Sequence, residues 1–555
     1  MSEPYILSIN EGIHEASVTL LKGMELKVFV EQERHSRYRH HLDGVITSDV
    51  IYKVLDTEGI GPEQVDYFCY CNLTCFQDLS VDKNTGLLTL KQIIGAKEFD
   101  QRWTKVKLLA NVQLNHHIQH CAASFYASGF DSALGLVVDG SGDQDDAITL
   151  FKCSKKDGIT ELKKYSRKYS LGDLYSKAAM SMGLGNNSEG KLMGLASYWK
   201  SDLTYSNFDK ETKEMKHEHI WEWMVSQKLY PFDEKLKDPI HYIRAAGEVQ
   251  AIFNNTLLDL TEYLKSFDPS EENLVISGGC MLNCSCNAEI EKQGLFKNIY
   301  CFPATNDAGI SLGAAYLQAL TVCENKETKR IDHVYLGVNY PRSKTPLRLR
   351  EIHYNRIKDY DIKQTAIDLD QNRIIAWYQG RSEAGPRALG HRTLLASPSS
   401  RKMLDVINKF IKGREAFRPL APIVLDKYYL DIFDDPNPEN LSPFMLKNVV
   451  IKEEWRYKIP AVCHIDNTAR PQYLKREVNP ELYDLIEEFY KISGLPLLIN
   501  TSLNAKGEPI IETFENLMRF LEYQERVSYG VIDAKKVICL RPIIRDENVR
   551  QISDD

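Results

Sequence analysis

Several features that would place the chain in a membrane or outside the cell are missing from its sequence. No uninterrupted apolar run approaches the roughly 20 residues that a membrane-spanning helix needs. The first residues do not show a charged segment followed by an apolar one, which is the pattern of a secretion signal. We therefore expect a cytoplasmic protein with no membrane partner.

Paired cysteine motifs are also missing, although the chain contains 12 cysteines. The densest group, Cys69, Cys71 and Cys75, does not have the C-x-x-C spacing of zinc and redox sites. Free cysteines usually lie in protein cores, and disulfides are uncommon in proteins that are not secreted. The expectation is therefore buried thiols rather than a thiolate metal site or disulfides.

An excess of positive charge is missing as well. The chain has 69 basic and 77 acidic residues and a net charge of −8, which does not indicate a dominant surface for nucleic acid. The basic run 33–41 (ERHSRYRHH) could contact phosphate, but a role inside the domain is the commoner explanation.

The length of 555 residues exceeds what one core usually supports, so two or more domains are expected.

The first half of the chain contains a repeated order of strands and loops. Residues 5–34 and residues 133–167 each predict strand, polar loop, strand, turn and strand. Two such α/β subdomains would face a cleft, with the polar loops after both first strands pointing into it. The polar stretch 205–240 has few strand signals and predicts an inserted helical or loop segment. Helical patterns are found at 48–58, 88–98, 116–128 and 244–265.

A charged and proline-containing stretch separates this half from a second domain. The segments 324–333 (ENKETKRIDH) and 340–346 (YPRSKTP) predict a linker. Strand-like segments follow: RIIAWYQG, PLAPIVL, LPLLIN and GVIDAKKVICL. The fold class is therefore α/β, with domains expected at residues 1–340 and 341–555.

The segment 115–130 (NHHIQHCAASFYASGF) predicts a helix that carries two histidines on one face. His116 and His120 are four residues apart, which lets two imidazoles hold one metal ion, although such pairs are more often structural. His117 points elsewhere on this helix. Asp139, at the end of a strand, and Asp307, at the start of a helix, could complete a set suited to iron, manganese or zinc. Asp307 could instead be a helix N-cap.

Two glycine-rich turns follow predicted strands. One is DGSGDQDD at 139–146, and the other is the Gly278–Gly279 pair between a strand and a helix. Such turns let backbone N–H groups approach a nucleotide phosphate. Neither has the spacing of a P-loop or of a dinucleotide fingerprint, so a structural role stays open for both.

The second half places cations in loops rich in Gly, Pro and Ser beside apolar strands. Their charge and bidentate geometry suit a phosphate-bearing ligand, and solvated surface charge is the alternative. These cations are Arg387 (GPRALG), Lys412 and Arg418 (KGREAFRPLAP) and Arg470 (DNTARPQY).

Taken in this order, the segments resemble the NodU/CmcH family of O-carbamoyltransferases over nearly the whole chain. The most specific pieces are NHHIQHCAAS, GPRALG, FRPLAP and NTSLNAKGEP. The resemblance implies a first domain of the actin-like ATPase fold with two subdomains, similar to proteins that transfer threonylcarbamoyl to tRNA. It implies a second α/β domain similar to the enzymes that make threonylcarbamoyl adenylate.

The same resemblance implies a reaction in two halves. In the second domain, carbamoyl phosphate is hydrolysed to carbamate, which attacks ATP to give carbamoyl adenylate and pyrophosphate. In the first domain, a divalent metal holds the adenylate while an acceptor hydroxyl attacks the carbamoyl carbon. Iron is the first expectation for this metal, with manganese or zinc as alternatives, and magnesium could accompany ATP.

Site residues follow from the resemblance position by position. The metal ligands are His116, His120, Asp139 and Asp307, and His14 is the general base toward the acceptor hydroxyl. The nucleotide-holding residues of the first domain are Glu189, Lys191, Ser277, Gly278, Gly279 and Asn283. The residues that bind carbamoyl phosphate and ATP in the second domain are Arg387, Lys412, Arg418, Arg470 and Ser502.

The chain departs mildly from the family pattern. Glu15 follows His14 where the family usually has Asp, Asn306 precedes Asp307 where it usually has Gly, and Leu503 stands where it often has Phe. None of these changes removes an expected ligand.

Two other functions are compatible with the same fold. One is a nucleotide-binding regulatory or assembly protein without transfer activity, and the intact ligand and cation sets argue against it. The other is tRNA threonylcarbamoylation, against which GPRALG and FRPLAP argue. The acceptor stays open between a natural-product sugar or alcohol and a hydroxymethyl pyrimidine in a nucleotide or DNA. A homodimer is compatible with the sequence.

Overall fold

The computed structural model describes residues 3–12, 14–41, 44–73, 85–108, 115–226, 239–340 and 357–540. Contacts between these residues divide the chain into two units. The first unit is Met1–Asp332 with the short segments Leu336–Val338 and Leu446–Asn448. The second unit is His333–Tyr335, Asn339–Met445 and Val449–Asp555.

The described strands of the first unit form two five-stranded sheets and a small hairpin. These strands are β1 (Tyr5–Gly12), β2 (Ser17–Lys22), β3 (Glu25–Glu31), β4 (Val65–Leu73), β5 (Lys107–Leu108), β6 (Ser132–Val138), β7 (Asp146–Ser154), β8 (Gly158–Ser166), β9 (Phe208–Asp209), β10 (Glu214–Met215), β11 (Asn273–Ser277) and β12 (Asn298–Tyr300).

The two larger sheets share one topology. Their orders are β3-β2-β1-β4-β5 and β8-β7-β6-β11-β12. In each sheet the first three strands form an antiparallel meander, and two later strands pair in parallel beside its first strand. The repeated meander predicted from the sequence is confirmed, and with it the α/β class of the first unit.

The helices of the first unit match most of the predicted positions. The prediction over 88–98 is interrupted, because Gly95 has a φ of +96° and separates two helices. The described part of 205–240 contains the β9–β10 hairpin as well as a helix.

The described α-helices of the first unit are α1 (Gln32–Ser36), α2 (Ser48–Glu58), α3 (Thr85–Ile94), α4 (Ala96–Arg102), α5 (His116–Ser128), α6 (Leu171–Ser181), α7 (Glu189–Ala196), α8 (Ile220–Ser226), α9 (Pro239–Phe267), α10 (Cys284–Lys292) and α11 (Ile310–Val322).

Two of these helices, α5 and α11, join the two sheets. Helix α5 packs on β6 and β11, whereas α11 packs on β1 and β2, and the two helices pack against each other. Gly313 permits this close approach, because a Cβ at this position would lie 1.8 Å from the carbonyl oxygen of Gln119. The segments that begin α5 and α11 are thereby brought together between the sheets.

The second unit is built on an eight-stranded mixed sheet, which confirms the α/β class. Its order is β13-β23-β22-β14-β15-β21-β16-β20, and β17, β18 and β19 form a separate sheet. Its core includes the buried side chains of Trp377, Tyr429 and Phe489. The strands are β13 (Ile357–Asp359), β14 (Ile374–Tyr378), β15 (Arg392–Ala396), β16 (Ala421–Leu425), β17 (Phe433–Asp434), β18 (Val449–Ile451), β19 (Thr468–Ala469), β20 (Gln472–Leu474), β21 (Leu497–Ser502), β22 (Val527–Ile532) and β23 (Lys536–Ile538).

Helices cover this sheet. A π-helix, Val406–Ile411, leads into the loop that carries Lys412 and Arg418. The α-helices are α12 (Ile362–Asp370), α13 (Arg401–Asp405), α14 (Asp426–Ile432), α15 (Glu453–Arg456), α16 (Pro480–Ser493) and α17 (Phe514–Tyr523).

None of the described cysteines forms a disulfide, and most are buried as expected. Cys280, Cys463 and Cys539 are half-buried, and Cys75 lies outside the described residues. Within the described ranges, none of the helices has both the length and the apolar character needed to cross a membrane.

Candidate functional site

Helix α5 and two loops of the first unit bring four ligand atoms together. The side chains of His116, His120, Asp139 and Asp307 each offer one atom, and these atoms all lie within 4.8 Å of one another. Nε2 of His116 is 3.0 Å from Asp139 Oδ2 and 3.1 Å from His120 Nε2. Asp307 Oδ1 lies 3.7 Å from His116 Nε2 and 3.6 Å from His120 Nε2. The sequence predicted this set of residues, and the structure places them at one point.

This donor set fits a divalent cation. Ligand atoms bound at about 2.0–2.2 Å to one ion lie about 3.0–3.5 Å from each other, close to the separations found here. Burial alone would lower the pKa of His120, but hydrogen bonds to Asp139 and Asp307 outweigh burial and raise it to about 9. The carboxylates that stabilise a proton here would also stabilise a metal cation. Two imidazoles with two carboxylates are compatible with iron, manganese or zinc.

The sequence around these residues explains their positions. Asn115 caps α5, because its side chain accepts hydrogen bonds from the N–H groups of His117 and Ile118. The helix therefore begins at His116, with His120 one turn later on the same face. Asp139 directly follows β6, and its Oδ1 accepts a hydrogen bond of 3.1 Å from the N–H of Gly279.

The Ser277–Gly279 turn contacts both segments that carry the ligands. Ser277 Oγ donates to the carbonyl oxygen of His120 at 2.7 Å. Gly278 has a φ of +94°, and a Cβ there would lie 2.2 Å from the carbonyl oxygen of Val138. Only glycine fits this position without rearrangement. The turn therefore lies directly on the end of β6, beside Asp139.

The other predicted nucleotide-holding residues lie around the same turn. Asn283 caps α10 by accepting from the N–H of Cys286 at 3.0 Å, and its amide also exchanges hydrogen bonds with Gln250. Burial raises the pKa of the Cys280 thiol well above its ordinary value, and the nearby carboxylates of Asp139 and Glu189 add to this effect. Glu189 is the first residue of α7, and this helix contacts the segment after the turn, because Cys284 Sγ lies 3.7 Å from Met193 Sδ.

Glu189 and Lys191 are both engaged with protein groups at this end of α7. Glu189 Oε1 accepts a hydrogen bond of 2.6 Å from Ser176 Oγ of α6. Lys191 Nζ donates to the carbonyl oxygen of Leu184 at 2.9 Å. These contacts fix the start of α7 against α6.

His14 lies exposed in the loop after β1, and this loop is tied to Asp307. The side-chain amide of Asn10 donates to the carbonyl oxygens of both Glu15 and Asp307, each at 3.0 Å. Burial raises the pKa of Glu15, against a hydrogen bond with His40 that lowers it. Sequence reasoning missed Asn10, although a polar residue at the end of the apolar run YILSI was a usable signal.

Part of the basic run 33–41 is used inside the first unit. Arg34 is buried, and its Nε lies 3.4 Å from Glu31 Oε2. Burial raises the pKa of Glu31 to about 8, against the opposing charge of Arg34. The interior role that the sequence left as the commoner explanation fits this arrangement.

In the second unit, four cations lie close enough to act on one another. Burial lowers the pKa of Lys412 well below its ordinary value, and the charges of Arg414 and Arg418 lower it further. Burial lowers the pKa of Arg414 to about 9, and Arg418 and Arg470 contribute to this. We call Lys412, Arg414, Arg418 and Arg470 the cation cluster. Arg414 was not singled out from the sequence, although it lies within the quoted motif KGREAFRPLAP.

Hydrogen bonds hold the loop of the cation cluster in place. Asn408 Oδ1 accepts from Arg414 Nε at 2.7 Å, and Asn408 Nδ2 donates to the carbonyl oxygen of Arg418 at 2.8 Å. Lys412 Nζ donates to Asn504 Oδ1 at 2.6 Å and contacts the carbonyl oxygen of Ser502. Ser502 therefore lies beside Lys412. The sequence analysis assigned both residues to the same carbamoyl phosphate and ATP site.

Arg387 lies on a neighbouring loop of the same sheet, between β14 and β15. The carbonyl oxygen of the adjacent Ala388 accepts a hydrogen bond of 2.9 Å from Asn500 Nδ2. Asn500 and Ser502 both belong to β21, so this one strand contacts the Arg387 loop and Lys412.

Comparison with known proteins gives a consistent result over both units. Residues 5–316 match the family model described as Carbamoyltransferase N-terminus, and residues 366–537 match that described as Carbamoyltransferase C-terminus. Nodulation protein NolNO of Sinorhizobium fredii is 29% identical, covering 91% of this chain and 76% of that protein. Nodulation protein NolO of Bradyrhizobium diazoefficiens is 32% identical, covering 72% of this chain and 74% of that protein.

Solved structures are similar to a part of the chain. Component A of (R)-2-hydroxyglutaryl-CoA dehydratase from Acidaminococcus fermentans has a TM-score of 0.34 and 14% identity, covering 57% of this chain and 98% of that chain.

The two family matches together span most of the residues, from strand β1 to strand β23. The chain therefore belongs to the carbamoyltransferase family.

Proposed function

We propose that the protein is an ATP-dependent O-carbamoyltransferase that makes carbamoyl adenylate and transfers its carbamoyl group to an acceptor hydroxyl. The observation that carries the proposal is the His116/His120/Asp139/Asp307 set inside the unit that matches the carbamoyltransferase N-terminus. The cation cluster inside the unit that matches the C-terminus supports it. One chain thus contains a ligand set suited to a metal and a separate set suited to phosphates.

The first half-reaction belongs to the second unit. Water hydrolyses carbamoyl phosphate to carbamate and phosphate, and a carbamate oxygen then attacks the α-phosphorus of ATP. The new P–O bond gives carbamoyl adenylate, and the bond to the β-phosphate breaks to release pyrophosphate. Arg387, Arg418 and Arg470 bind the phosphates through charge-assisted hydrogen bonds. Lys412, held against Ser502 and Asn504, adds positive potential where negative charge develops.

The second half-reaction belongs to the first unit. The adenylate is held at the Ser277–Gly279 turn and by Glu189, Lys191 and Asn283 of the same unit. His116, His120, Asp139 and Asp307 would hold a divalent ion, which would supply Lewis-acid chemistry to the bound adenylate. The acceptor oxygen attacks the carbamoyl carbon, the bond from that carbon to the AMP oxygen breaks, and His14 takes the hydroxyl proton. The products are a carbamate ester and AMP.

The acceptor is a hydroxyl compound of one of two kinds. A natural-product sugar or alcohol and a hydroxymethyl pyrimidine in a nucleotide or DNA both supply the nucleophile that this reaction needs. The exposed position of His14 allows either kind to approach the loop after β1.

The test is to incubate the full chain with ATP, carbamoyl phosphate and a panel of such alcohols. We expect mass spectrometry to detect one alcohol that gains a carbamoyl group, and only when ATP and carbamoyl phosphate are both present. Omitting carbamoyl phosphate is the matched control. Pyrophosphate release without any carbamoylated alcohol would leave the acceptor outside the panel, whereas no ATP consumption would favour a regulatory or assembly protein of the same fold.

A further inference from the structure

His117 lies beside a ligand of the His/Asp set in the sequence, but its ring contacts other residues. The ring is completely buried. Its Nδ1 lies 2.7 Å from Thr149 Oγ1 and 3.5 Å from Asp146 Oδ2. Both partners belong to β7, so His117 joins the first turn of α5 to this strand.

Asp146 organises the loop that starts at Asp139. Its Oδ1 accepts a hydrogen bond of 3.2 Å from the N–H of Gln144, and its carbonyl oxygen accepts one of 2.6 Å from the N–H of Gly142. A Cβ at Gly142 would lie 2.2 Å from Asp146 Oδ1, so glycine lets the loop close over this carboxylate. The loop conformation therefore depends on Asp146.

The burial of this carboxylate is costly. Asp146 is completely buried, and its Oδ2 has no hydrogen-bond partner among the described residues. The same is true of Nε2 of His117 within these residues. Buried polar groups that lack partners reduce stability, and a buried carboxylate costs more than a neutral group. Replacing a buried polar pair by apolar residues is often neutral or stabilising in proteins, so stability alone does not explain this placement.

A second contact fastens the same loop to the same helix. Asp143 is exposed, and its Oδ1 accepts a hydrogen bond of 3.2 Å from the N–H of His116. The loop is thus held to the first residue of α5 by the hydrogen bond to Asp143. At the second residue, the ring of His117 lies against Asp146, with 3.5 Å between Nδ1 and Oδ2. Asp139 comes from this loop, whereas His116 and His120 come from the helix.

We propose that His117, Asp146 and Asp143 are positioning residues for the metal site. They hold the 139–146 loop against α5 and so set the distance from Asp139 to the two ligand histidines. This inference rests on the proposed function, because it requires that the His/His/Asp/Asp set binds a metal. Residues that orient metal ligands typically contribute about 10- to 100-fold to metal affinity.

The test is to measure the affinity of the full chain for Mn²⁺ and Zn²⁺ by equilibrium dialysis, after a chelator has removed bound metal. We expect Asp146→Asn, His117→Gln and Asp143→Ala each to weaken binding by about 10- to 100-fold. Asp143→Ala changes an exposed side chain, so it tests the inference even where the two buried variants fold poorly. Ser128→Ala is the matched control, because it removes a buried hydrogen bond to Phe125 at the far end of α5.

The outcomes separate this inference from the function on which it rests. Parent protein that binds neither ion would contradict the metal site itself. Parent protein that binds an ion, with an Asp143→Ala variant within about threefold of its affinity, well below the expected range, would overturn the positioning role alone. A Ser128→Ala variant that weakens binding as much as the others would show a general effect of destabilising α5, and would also overturn it.

Discussion

The Nε2 atoms of His116 and His120 lie 3.1 Å apart on one face of α5. Two imidazole nitrogens at this distance need a proton or a cation between them, because their lone pairs would otherwise repel each other. Asp139 and Asp307 supply negative charge within 3.7 Å of these atoms, from two loops far apart in the sequence. This relationship is the structural basis of the proposed metal-dependent transfer.

Replacing His120 should separate the two half-reactions. His120→Ala removes one ligand atom, so we expect loss of bound metal and of carbamoyl transfer. Formation of carbamoyl adenylate should continue, because the cation cluster is unchanged. Metal content after dialysis, pyrophosphate release and carbamoylated product measure these three properties. His241→Ala, on α9, is the control, and a His120→Ala variant with parental transfer would contradict the ligand assignment.

The cation cluster should control the use of carbamoyl phosphate. Arg418→Ala and Arg414→Ala each remove a guanidinium, and we expect at least about a tenfold loss of carbamoyl-phosphate-dependent pyrophosphate release, since charge-assisted hydrogen bonds contribute about 1.5–3 kcal/mol. Transfer from supplied carbamoyl adenylate should survive, because it uses the first unit. Arg519→Ala, an exposed arginine of α17, is the matched control. Equal loss of both activities, together with a lower melting temperature, would indicate a folding defect instead.

His14 should affect the transfer step alone. General-base assistance typically contributes about 10²–10⁴-fold, so we expect His14→Asn to lower the transfer rate at least about a hundredfold. Metal and nucleotide binding should be retained, because His14 is exposed and belongs to neither ligand set. Single-turnover transfer from carbamoyl adenylate measures the step. A rate within about threefold of the parent, well outside that range, would remove His14 from the mechanism.

A buried histidine predicts lower stability of the second unit in mild acid. Burial lowers the pKa of His391 to about 4, whereas the unfolded chain has a value near the ordinary 6.5. Between about pH 4 and about pH 6.5 the unfolded chain therefore binds more protons, so the free energy of unfolding rises with pH across this window. Stability is lost as the pH falls, by at most about 3 kcal/mol for a pKa difference of this size.

Urea unfolding of the parent and of His391→Gln at several pH values checks this prediction. The variant should lose less stability than the parent between neutral pH and about pH 4.5, since it has no imidazole to protonate. In the variant, the pH dependence of the free energy of unfolding should be reduced rather than abolished, because burial also lowers the pKa of His464 to about 4. Parallel pH profiles for the two proteins would contradict the assignment to His391.

Local patterns were enough to predict the repeated meander and the helix that carries His116. The strands of β1–β3 and β6–β8 alternate with polar loops, and α5 has the predicted bounds of 116–128, directly after its cap Asn115. That Asp307 joins this helix depends on the packing of α11 on α5 through Gly313, which one sequence does not reveal. Bringing together Arg414 and Arg470 likewise requires the order of strands in the larger sheet, which local periodicity does not determine.

Local patterns in the sequence also do not reveal the roles of Asn10, Asp146 and His117. Each is a polar side chain whose partner lies on another element, and the sequence shows the residue but not the partner. Asn10 contacts the loop of Glu15 and the backbone of Asp307, which is 297 residues away in the sequence. Such contacts emerge only once both sheets and the two joining helices are in place.

The fate of ATP is the most direct test of the proposed adenylate route. The full chain is incubated with carbamoyl phosphate and with ATP labelled in the β-phosphate, and the labelled products are separated. The account predicts labelled pyrophosphate, formed only when carbamoyl phosphate is present and lost in Arg418→Ala. Labelled ADP with unlabelled phosphate, or pyrophosphate release that does not depend on carbamoyl phosphate, would contradict it.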